Sequence, residues 1–190
     1  MSSDRLTTRH ALPGDLPALS LLMERAIDVL QKGFLDARQL AASRAVMGLD
    51  TQLILDRTYF VAECAGVIAG CGGWSRRATL FGGDHAKGRD PQLLDPARDA
   101  ARIRAMYTEP AFARRGVGRL ILAVCEADAA RAGFGRTELA GTLSGEPLYR
   151  SCGYRVIERF AAGDDVPLLR MGKILPVPTL EADPISLKRT

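Results

Sequence analysis

The segment from Ile103 to Leu122 constrains the fold more than any other part of the sequence. Side chains alternate with a period of two from Ile103 to Thr108, which predicts a β-strand. Glu109-Pro110 ends this strand because proline lacks a backbone N–H donor. The basic sequence RRGVGR follows at 114–119, and apolar residues then recur at helical spacing. A strand, a basic glycine turn and a helix therefore follow one another.

The turn has the composition of an anion-binding site. Gly116 and Gly118 let the backbone approach a ligand, and the first N–H groups of the next helix have no intrahelical partner. The cations of the turn are Arg114, Arg115 and Arg119. Two phosphate-binding motifs do not fit, because the Lys-Ser/Thr pair of a P-loop is missing and Ile121 replaces the last small residue of a dinucleotide fingerprint. An ordinary basic helix start remains the alternative.

Composition narrows the class of protein. The 190 residues are 47% hydrophobic and 25% charged, as expected for one globular domain. The net charge of +4 is modest, and arginines cluster at 76–77, 102–104 and 114–119, which favours a local anionic ligand over nucleic acid. Four cysteines without C-x-x-C spacing and only two histidines disfavour a metal site and predict reduced thiols in the cytoplasm. We identify neither a signal peptide nor a membrane span.

The rest of the sequence predicts strands and helices in a mixed order. Strands are predicted at 5–10, 59–64, 67–74, 135–140, 155–160 and 166–171, and helices at 16–33, 36–46, 50–56, 117–133 and 148–153. Asp15 is expected to cap the first helix. The irregular segment 75–100 is interpreted as a substrate-side lid or insertion. A domain at 1–172 and a poorly ordered tail at 173–190 are expected.

Two of these motifs resemble the GNAT superfamily of N-acetyltransferases. The turn at 113–118 is similar to the superfamily's pyrophosphate motif, R/Q-x-x-G-x-G/A, with Ala113 in the place of the Arg or Gln. LYRSCGY at 148–154 is similar to its later segment, in which a short helix ends at glycine and leads into a strand. Ser144 fills the place of the usual Asn. The order and separation of the two motifs carry more weight than either one.

This resemblance implies a fold and an activity. The fold would be mixed α/β (α+β), with a mostly antiparallel sheet of about six or seven strands, splayed at 103–108 and covered by helices on both faces. The activity would be acetyl-CoA-dependent transfer of an acetyl group to a primary amine of a small molecule or peptide, by direct attack in a ternary complex. Acetyl-CoA would be the donor, no metal would take part, and the protein would act alone or as a homodimer, without nucleic-acid or membrane partners.

The resemblance also implies site residues. Those expected to bind the donor are Met106, Thr108, Arg114, Arg115, Gly116, Val117, Gly118, Arg119, Ser144 and Tyr149. Backbone groups of Met106 and Thr108 would pair with the pantetheine arm. Tyr149 is the expected catalytic acid, because a phenol with a pKa of about 10 can protonate a departing thiolate whose thiol has a pKa of about 8.5.

The acceptor side is less defined. Trp74 and Arg104 are the candidate substrate-binding residues. The general base stays open among Glu63, Asp84, His85 and Asp99, because no spacing singles one out. Arg102 and Arg104 indicate either an anionic substrate or structural ion pairs with Asp90, Asp95 and Asp99.

Two other functions are compatible with the sequence. The first is a catalytically inactive acyl-CoA-binding sensor or scaffold, for which Ala113 and the missing carboxylate on the strand leave room. The second is a nucleic-acid-binding domain that uses the arginine turn. The second ranks last, because no interleaved aromatics or reader motif accompany the arginines.

Overall fold

A computed structural model describes residues 5–163 and 165–176. The strands are β1 (Leu6–His10), β2 (Tyr59–Cys64), β3 (Val67–Ser75), β4 (Ala101–Thr108), β5 (Arg136–Thr142), β6 (Arg155–Ala162) and β7 (Val166–Ile174). The helices are α1 (Leu16–Leu30), α2 (Ala37–Val46), α3 (Thr51–Leu55), α4 (Val117–Arg131) and α5 (Glu146–Ser151). Each predicted strand and helix is present, with ends that shift by a few residues.

All seven strands form one sheet in the order β1-β2-β3-β4-β5-β7-β6. Only β4 and β5 are parallel; the other five pairs are antiparallel. The parallel pairing joins 101–103 to 137–139 and goes no further, so the two strands separate after Ile103. This arrangement confirms the expected sheet and its splay at 103–108.

Glycines in β3 let α4 lie close to the sheet. A Cβ added to Gly70 would lie 2.5 Å from a methyl group of Val117, and one added to Gly72 would lie 2.2 Å from the sulfur of Met106. Val117 and Ile121 of α4 are fully buried against this surface. Glycine at these positions therefore sets the height of α4 above the sheet.

A β-bulge distorts β4 opposite the same glycines. Cys71 of β3 faces Tyr107, but Gly73 faces Arg104, so β4 carries one extra residue between these pairs. Ala105 takes up the distortion with a φ of 49°. The hydroxyl of Tyr59 donates to the Ala105 carbonyl at 3.1 Å and holds the bulge in place. The sequence predicted a bulge or a close approach in β3, and β3 does carry an extra residue, Ala69, against β2, where Ala62 faces Gly70 and Glu63 faces Ile68. The extra residue opposite β3 lies on β4.

The opposite face of the sheet is covered by α1 and α3. Leu19, Leu22 and Leu53 pack there against Tyr59 and Val61, which confirms helices on both faces. Asp15 does not cap α1 as expected. Its carboxylate accepts a hydrogen bond from the Leu12 N–H at 2.8 Å and pairs with Arg9 at 2.7 Å, and the pKa of Asp15 falls chiefly through the Arg9 bond. Asp15 therefore closes the turn before α1.

The C-terminal strand is longer than predicted. β7 runs to Ile174, and Leu175 is buried in the core, so the expected boundary at residue 172 lies two to three residues too early. Residues 177–190 of the expected tail lie outside the described residues. Within the described ranges, no helix is long and apolar enough to cross a bilayer, and no group of His, Cys, Asp and Glu could hold a metal ion.

Replacing Gly72 by Ala should destabilise the protein. The new methyl group would overlap Met106 and Ile121, and overpacking of this kind lowers the free energy of unfolding by about 1–3 kcal/mol. Denaturant unfolding measures the loss. Gly135→Ala is the matched control, because a Cβ there meets no atom within 4 Å. An equal effect of both substitutions would contradict the packing argument.

Candidate active site

A cleft of about 660 Å³ opens where β4 and β5 separate. One half, the phosphate half, lies between the turn at 113–119 and the segment 142–151 that includes α5. The other half, the acceptor half, is bounded by the end of α1 and by segments 46–48 and 80–82. Buried and partly buried residues of β4 and β5 form the floor that joins the two halves.

The turn before α4 gives the phosphate half its anion-binding character. Arg114 and Gly116 both adopt the left-handed backbone region, with φ values of 64° and 87°. α4 then begins at Val117 without a side-chain cap, and all of these residues line the cleft. The first N–H groups of a fifteen-residue helix therefore face the cleft at the positive end of the helix dipole.

Two of the three arginines of the turn line the cleft. They are Arg114, which is exposed, and Arg119, which donates to the Ser151 hydroxyl at 2.9 Å. The guanidinium of Arg115 lies instead over the ring of Phe112, 5.0 Å from its centroid, and Arg115 is not among the residues that line the cleft. The structure therefore gives no support to Arg115 as a donor-binding side chain.

The floor of the cleft offers backbone groups beside the turn. Met106 and Thr108 line the cleft, as expected from the sequence. Because β5 has separated and the bulge interrupts pairing with β3, Ala105 and Met106 have no register partner in either described neighbour strand. An extended ligand could therefore take the place of a strand beside β4.

Other predicted residues lie at the same end. Val117, Gly118 and Ser144 all line the cleft, and the hydroxyl of Ser144 lies 3.0 Å from that of Thr142. A Cβ at Gly118 would lie 2.8 Å from a methyl group of Leu148. Gly118 thus lets the side chain of Leu148 in α5 pack closely against the first turn of α4.

Tyr149 lies at the junction of the two halves. Its side chain lines the cleft, although only 8% of the residue is exposed. The ring approaches Gly141 and Gly145 so closely that a Cβ at either position would lie within 3.1 Å of it, and it packs edge-on against Tyr154. Burial raises the pKa of Tyr149, so its phenol keeps its proton at neutral pH.

Arg104 is buried and paired, not free for a ligand. Its guanidinium lies 2.8 Å from a carboxylate oxygen of Asp50 and donates to the carbonyls of Thr79 and Gly82. The contact with Asp50 is an ion pair without an aligned hydrogen bond, and Arg89 also binds Asp50 at 2.7 Å. Burial is the main effect that lowers the pKa of Arg104, and Asp50 opposes it. Arg104 therefore holds the 79–82 segment against β4.

The other acceptor-side predictions find structural partners. Arg102 pairs with Glu138 at 2.6 Å, so structural ion pairs are correct for both arginines, but with other partners than the expected Asp90, Asp95 and Asp99. Trp74 is 1% exposed, donates its indole N–H to Asp128 at 2.8 Å and lies outside the cleft. This location contradicts the prediction that Trp74 binds the substrate.

None of the four candidate bases lines the cleft. Glu63 pairs with Arg9, Asp84 pairs with Arg89, and Asp99 accepts from the Asp95 N–H. The His85 ring lies 3.0 Å from the Ala45 carbonyl. Across the described residues, no Asp, Glu or His lines the cleft at all.

Sequence reasoning missed most of the acceptor half. Its lining includes Gln31, Phe34, Met47, Phe81 and Tyr107, which come from four separate parts of the chain. Exposed Phe34, just beyond the end of α1, gave no local signal of a site, because single exposed apolar residues are common on protein surfaces. These residues are brought together only by the fold.

Residues 56–156 match the family profile of the acetyltransferase (GNAT) domain, which is more than half of the chain. The chain belongs to the GNAT acetyltransferase family. This family membership makes it an acyltransferase and confirms the resemblance of both motifs. Among curated proteins, no significant sequence match is found.

Solved structures have the same fold as this acetyltransferase. A GCN5-related N-acetyltransferase from Rhodopseudomonas palustris has a TM-score of 0.67 at 18% identity, over 92% of this chain and 99% of that one. The PaiA N-acetyltransferase from Thermoplasma acidophilum, solved with coenzyme A, has a TM-score of 0.61 at 11% identity, over 90% and 99%. A ribosomal-protein-alanine N-acetyltransferase from Brucella melitensis has a TM-score of 0.59 at 21% identity, over 89% and 99%.

Replacing Arg104 by Met should destabilise the acetyltransferase. Removal of Arg104 leaves Asp50 with Arg89 alone and takes the donor from the carbonyls of Thr79 and Gly82, so the free energy of unfolding should fall by about 3 kcal/mol. Denaturant unfolding tests this, and Arg98→Met is the control because the Arg98 side chain is 86% exposed. Unchanged stability with a raised KM for the acceptor would instead make Arg104 a substrate-binding residue.

Replacing Gly116 by Glu should abolish coenzyme A binding in a folded protein, because the new carboxylate would lie at the anion-binding turn. Gly116→Ala is the matched control, since it has the same backbone strain at φ 87° but no charge.

Arg114→Gly should weaken binding by about 1–3 kcal/mol without adding strain, because glycine tolerates the φ of 64°. Calorimetric titration measures all three, and equal affinities for the Glu and Ala variants would remove the phosphate site from this turn.

Proposed function

We propose that this protein is an acetyl-CoA-dependent N-acetyltransferase that transfers an acetyl group to a primary amine by direct attack. The observation that supports the proposal best is the separation of β4 from β5 beside the basic turn. It joins an unpaired strand edge, an uncapped helix start and a buried tyrosine in one cleft. Relatives of this fold include an N-acetyltransferase solved with coenzyme A.

The residues present fit acetyl-CoA. The pyrophosphate would lie at the N–H groups from Gly116 to Arg119, beside the guanidinium groups of Arg114 and Arg119. The pantetheine arm would lie along β4, where Ala105 and Met106 lack a strand partner. Ala113 does not weaken this fit, because the backbone of the turn supplies the donors.

Bound acetyl-CoA supplies a thioester whose carbonyl carbon accepts the amine nitrogen. A C–N bond forms, the C–S bond breaks, the amine loses one proton and the departing thiolate gains one. The chain contributes position, exclusion of water and polar groups aimed at the charge that develops. A backbone N–H of the β4 bulge, where Ala105 and Met106 have no register partner, is our candidate donor to the thioester oxygen.

Tyr149 is our candidate for the proton donor to the thiolate. The residue lines the cleft between the phosphate half and the acceptor half, where the C–S bond of the proposed donor would break. Burial raises the pKa of Tyr149 and makes phenolate formation unfavourable. The protonated phenol can donate a hydrogen bond to the sulfur, and this bond strengthens as negative charge develops on the departing thiolate.

A second candidate function is binding of acyl-CoA without catalysis. The absence of any carboxylate or imidazole among the described residues lining the cleft favours it. Turnover of acetyl-CoA over a panel of amines, followed by thiol release, separates the two functions. Binding without turnover of any amine would select the sensor or scaffold.

Four free cysteines, of which three are buried, fit a reducing compartment, and we therefore propose that the protein acts in the cytoplasm.

Replacing Tyr149 by Phe should lower kcat by roughly 10²-fold, because the ring stays in place and only the proton donor is lost. Affinity for coenzyme A should change little, since the phosphate half does not depend on the phenol. kcat and kcat/KM should fall together, as expected for an interaction made in the transition state.

Tyr149→Ala is the control for packing. It removes the ring from Gly141 and Gly145 and should lower the melting temperature, whereas the Phe variant should not. A Phe variant with normal kcat would end the assignment of Tyr149 as acid, and the hydroxyl of Ser144 would be examined next.

A further inference from the structure

We infer that the acceptor is a small primary amine on an apolar body, which the enzyme binds as the neutral free base and contacts through the amide of Gln31. This inference deepens the N-acetyltransferase function proposed above and rests on it. Four features of the acceptor half support it: its apolar lining, its lack of acidic groups, the unpaired side-chain oxygen of Gln31, and its few partners for a peptide backbone.

The lining of the acceptor half is mainly apolar. The side chains that matter for the argument are Ile27, Leu30, Phe34, Met47, Phe81 and Leu168. Phe34 and Phe81 are 47% and 38% exposed, which is unusual for phenylalanines that flank the same opening. An apolar substrate body would cover this surface and be held by the hydrophobic effect.

No described residue that lines the acceptor half could balance a second charged group on the substrate. Asp, Glu and His are missing from it, so an ammonium group would lose its hydration without gaining a counter-charge. Arg104 lines the cleft, but its charge is already paired with Asp50, so a substrate carboxylate gains little there. Diamines and amino acids are therefore poor acceptors.

The side chain of Gln31 is the polar feature of the acceptor half that indicates a ligand. Only 7% of the residue is exposed, yet it lines the cleft, and its Oε1 atom is buried without a hydrogen-bond partner among the described residues. Buried amide oxygens are nearly always paired in folded proteins. A neutral amine can donate an N–H to this oxygen and keep its lone pair for the thioester.

A peptide acceptor fits less well. Each residue of a peptide brings an N–H and a C=O group that need partners once they leave water. Apart from Gln31 and Tyr107, the acceptor half offers few polar side chains for such groups. A small amine brings one polar group and an apolar body, which matches the lining.

The lack of a base also has a consequence for pH dependence. The charged and titratable groups that face the cleft are Arg104 and Tyr107 on β4, Arg114, Arg119 and Tyr149. Burial raises the pKa of both tyrosines, so both stay protonated at neutral pH, and the arginines stay charged. None of them can take the ammonium proton, so the free amine must come from solution or form by desolvation on entry.

The first experiment compares acceptors with the wild-type enzyme. Thiol release and calorimetry on the coenzyme A complex are measured with benzylamine, isopentylamine, spermidine, glutamate and a tripeptide amide with an apolar first residue. Benzylamine and isopentylamine should bind, and their kcat/KM should exceed those of the other three by at least about tenfold.

The outcomes separate this inference from the proposed function. If coenzyme A does not bind, the proposed function fails. If coenzyme A binds but benzylamine and isopentylamine do not, the acceptor class is overturned while donor binding stands. Preference for spermidine, glutamate or the tripeptide amide would overturn it as well.

The second experiment tests Gln31 with an almost isosteric change. Gln31→Glu places a carboxylate in the acceptor half and should lower kcat/KM for benzylamine by about tenfold while raising it for spermidine. Leu21→Glu on the same helix is the control, because Leu21 is exposed and does not line the cleft. Gln31→Leu removes an unpaired buried oxygen, so it should keep the melting temperature but raise KM for benzylamine. Normal kinetics for both Gln31 variants, or equal effects of Gln31→Glu and Leu21→Glu, would overturn the role of Gln31.

The third experiment uses pH. The logarithm of kcat/KM should rise with unit slope up to the pKa of the acceptor in solution, and the breakpoint should move when benzylamine is replaced by isopentylamine. A breakpoint that stays fixed would show that a group of the enzyme takes the proton, and would overturn binding of the free base.

Discussion

The separation of β4 from β5 is the constraint on which the rest of the structure depends. Two neighbouring parallel strands normally form hydrogen bonds along their whole length, but the pairing of β4 with β5 ends at Ile103. The extra residue at Ala105 increases the local twist of β4, and Glu109-Pro110 ends the strand before it can return to β5. The stretch of β4 that lacks a strand partner forms the floor of the cleft. The residues of the phosphate half and of the acceptor half are arranged around that floor.

The distortion is stable because neighbouring residues support it. Tyr59 holds the carbonyl of Ala105 from one face, and the glycines of β3 admit α4 from the other. The close approach of α4 in turn fixes where its uncapped N-terminus lies beside the end of β4. The packing of the buried face of α4 thus decides the location of an exposed anion-binding turn, which explains why glycines in β3 contribute to the site.

Local signals predicted the strands, the helices and the phosphate half, but not the acceptor half. Alternation along β4, the glycine turn and the helical spacing of α4 are all encoded within one segment, so the sequence alone was sufficient. The pairing of Arg104 with Asp50 and the burial of Trp74 against Asp128 depend on residues far apart in the chain. Without their partners, both residues had the appearance of ligand-binding groups, because an arginine beside a catalytic strand and a tryptophan beside a bulge suit either role.

The distribution of arginines gives the two ends of the cleft different electrostatic character. Arg102 and Arg104 lie on β4 itself, but they form ion pairs with Glu138 and Asp50 inside the protein. Only the turn end of the cleft keeps cations together with free helix N–H groups, while the opposite end is apolar. For the acetyl-CoA proposed as donor, this arrangement would favour one orientation, with the phosphates at the turn and the thioester toward Tyr149 and the acceptor half. The ion pairs in the core would then contribute to that orientation without contacting either substrate.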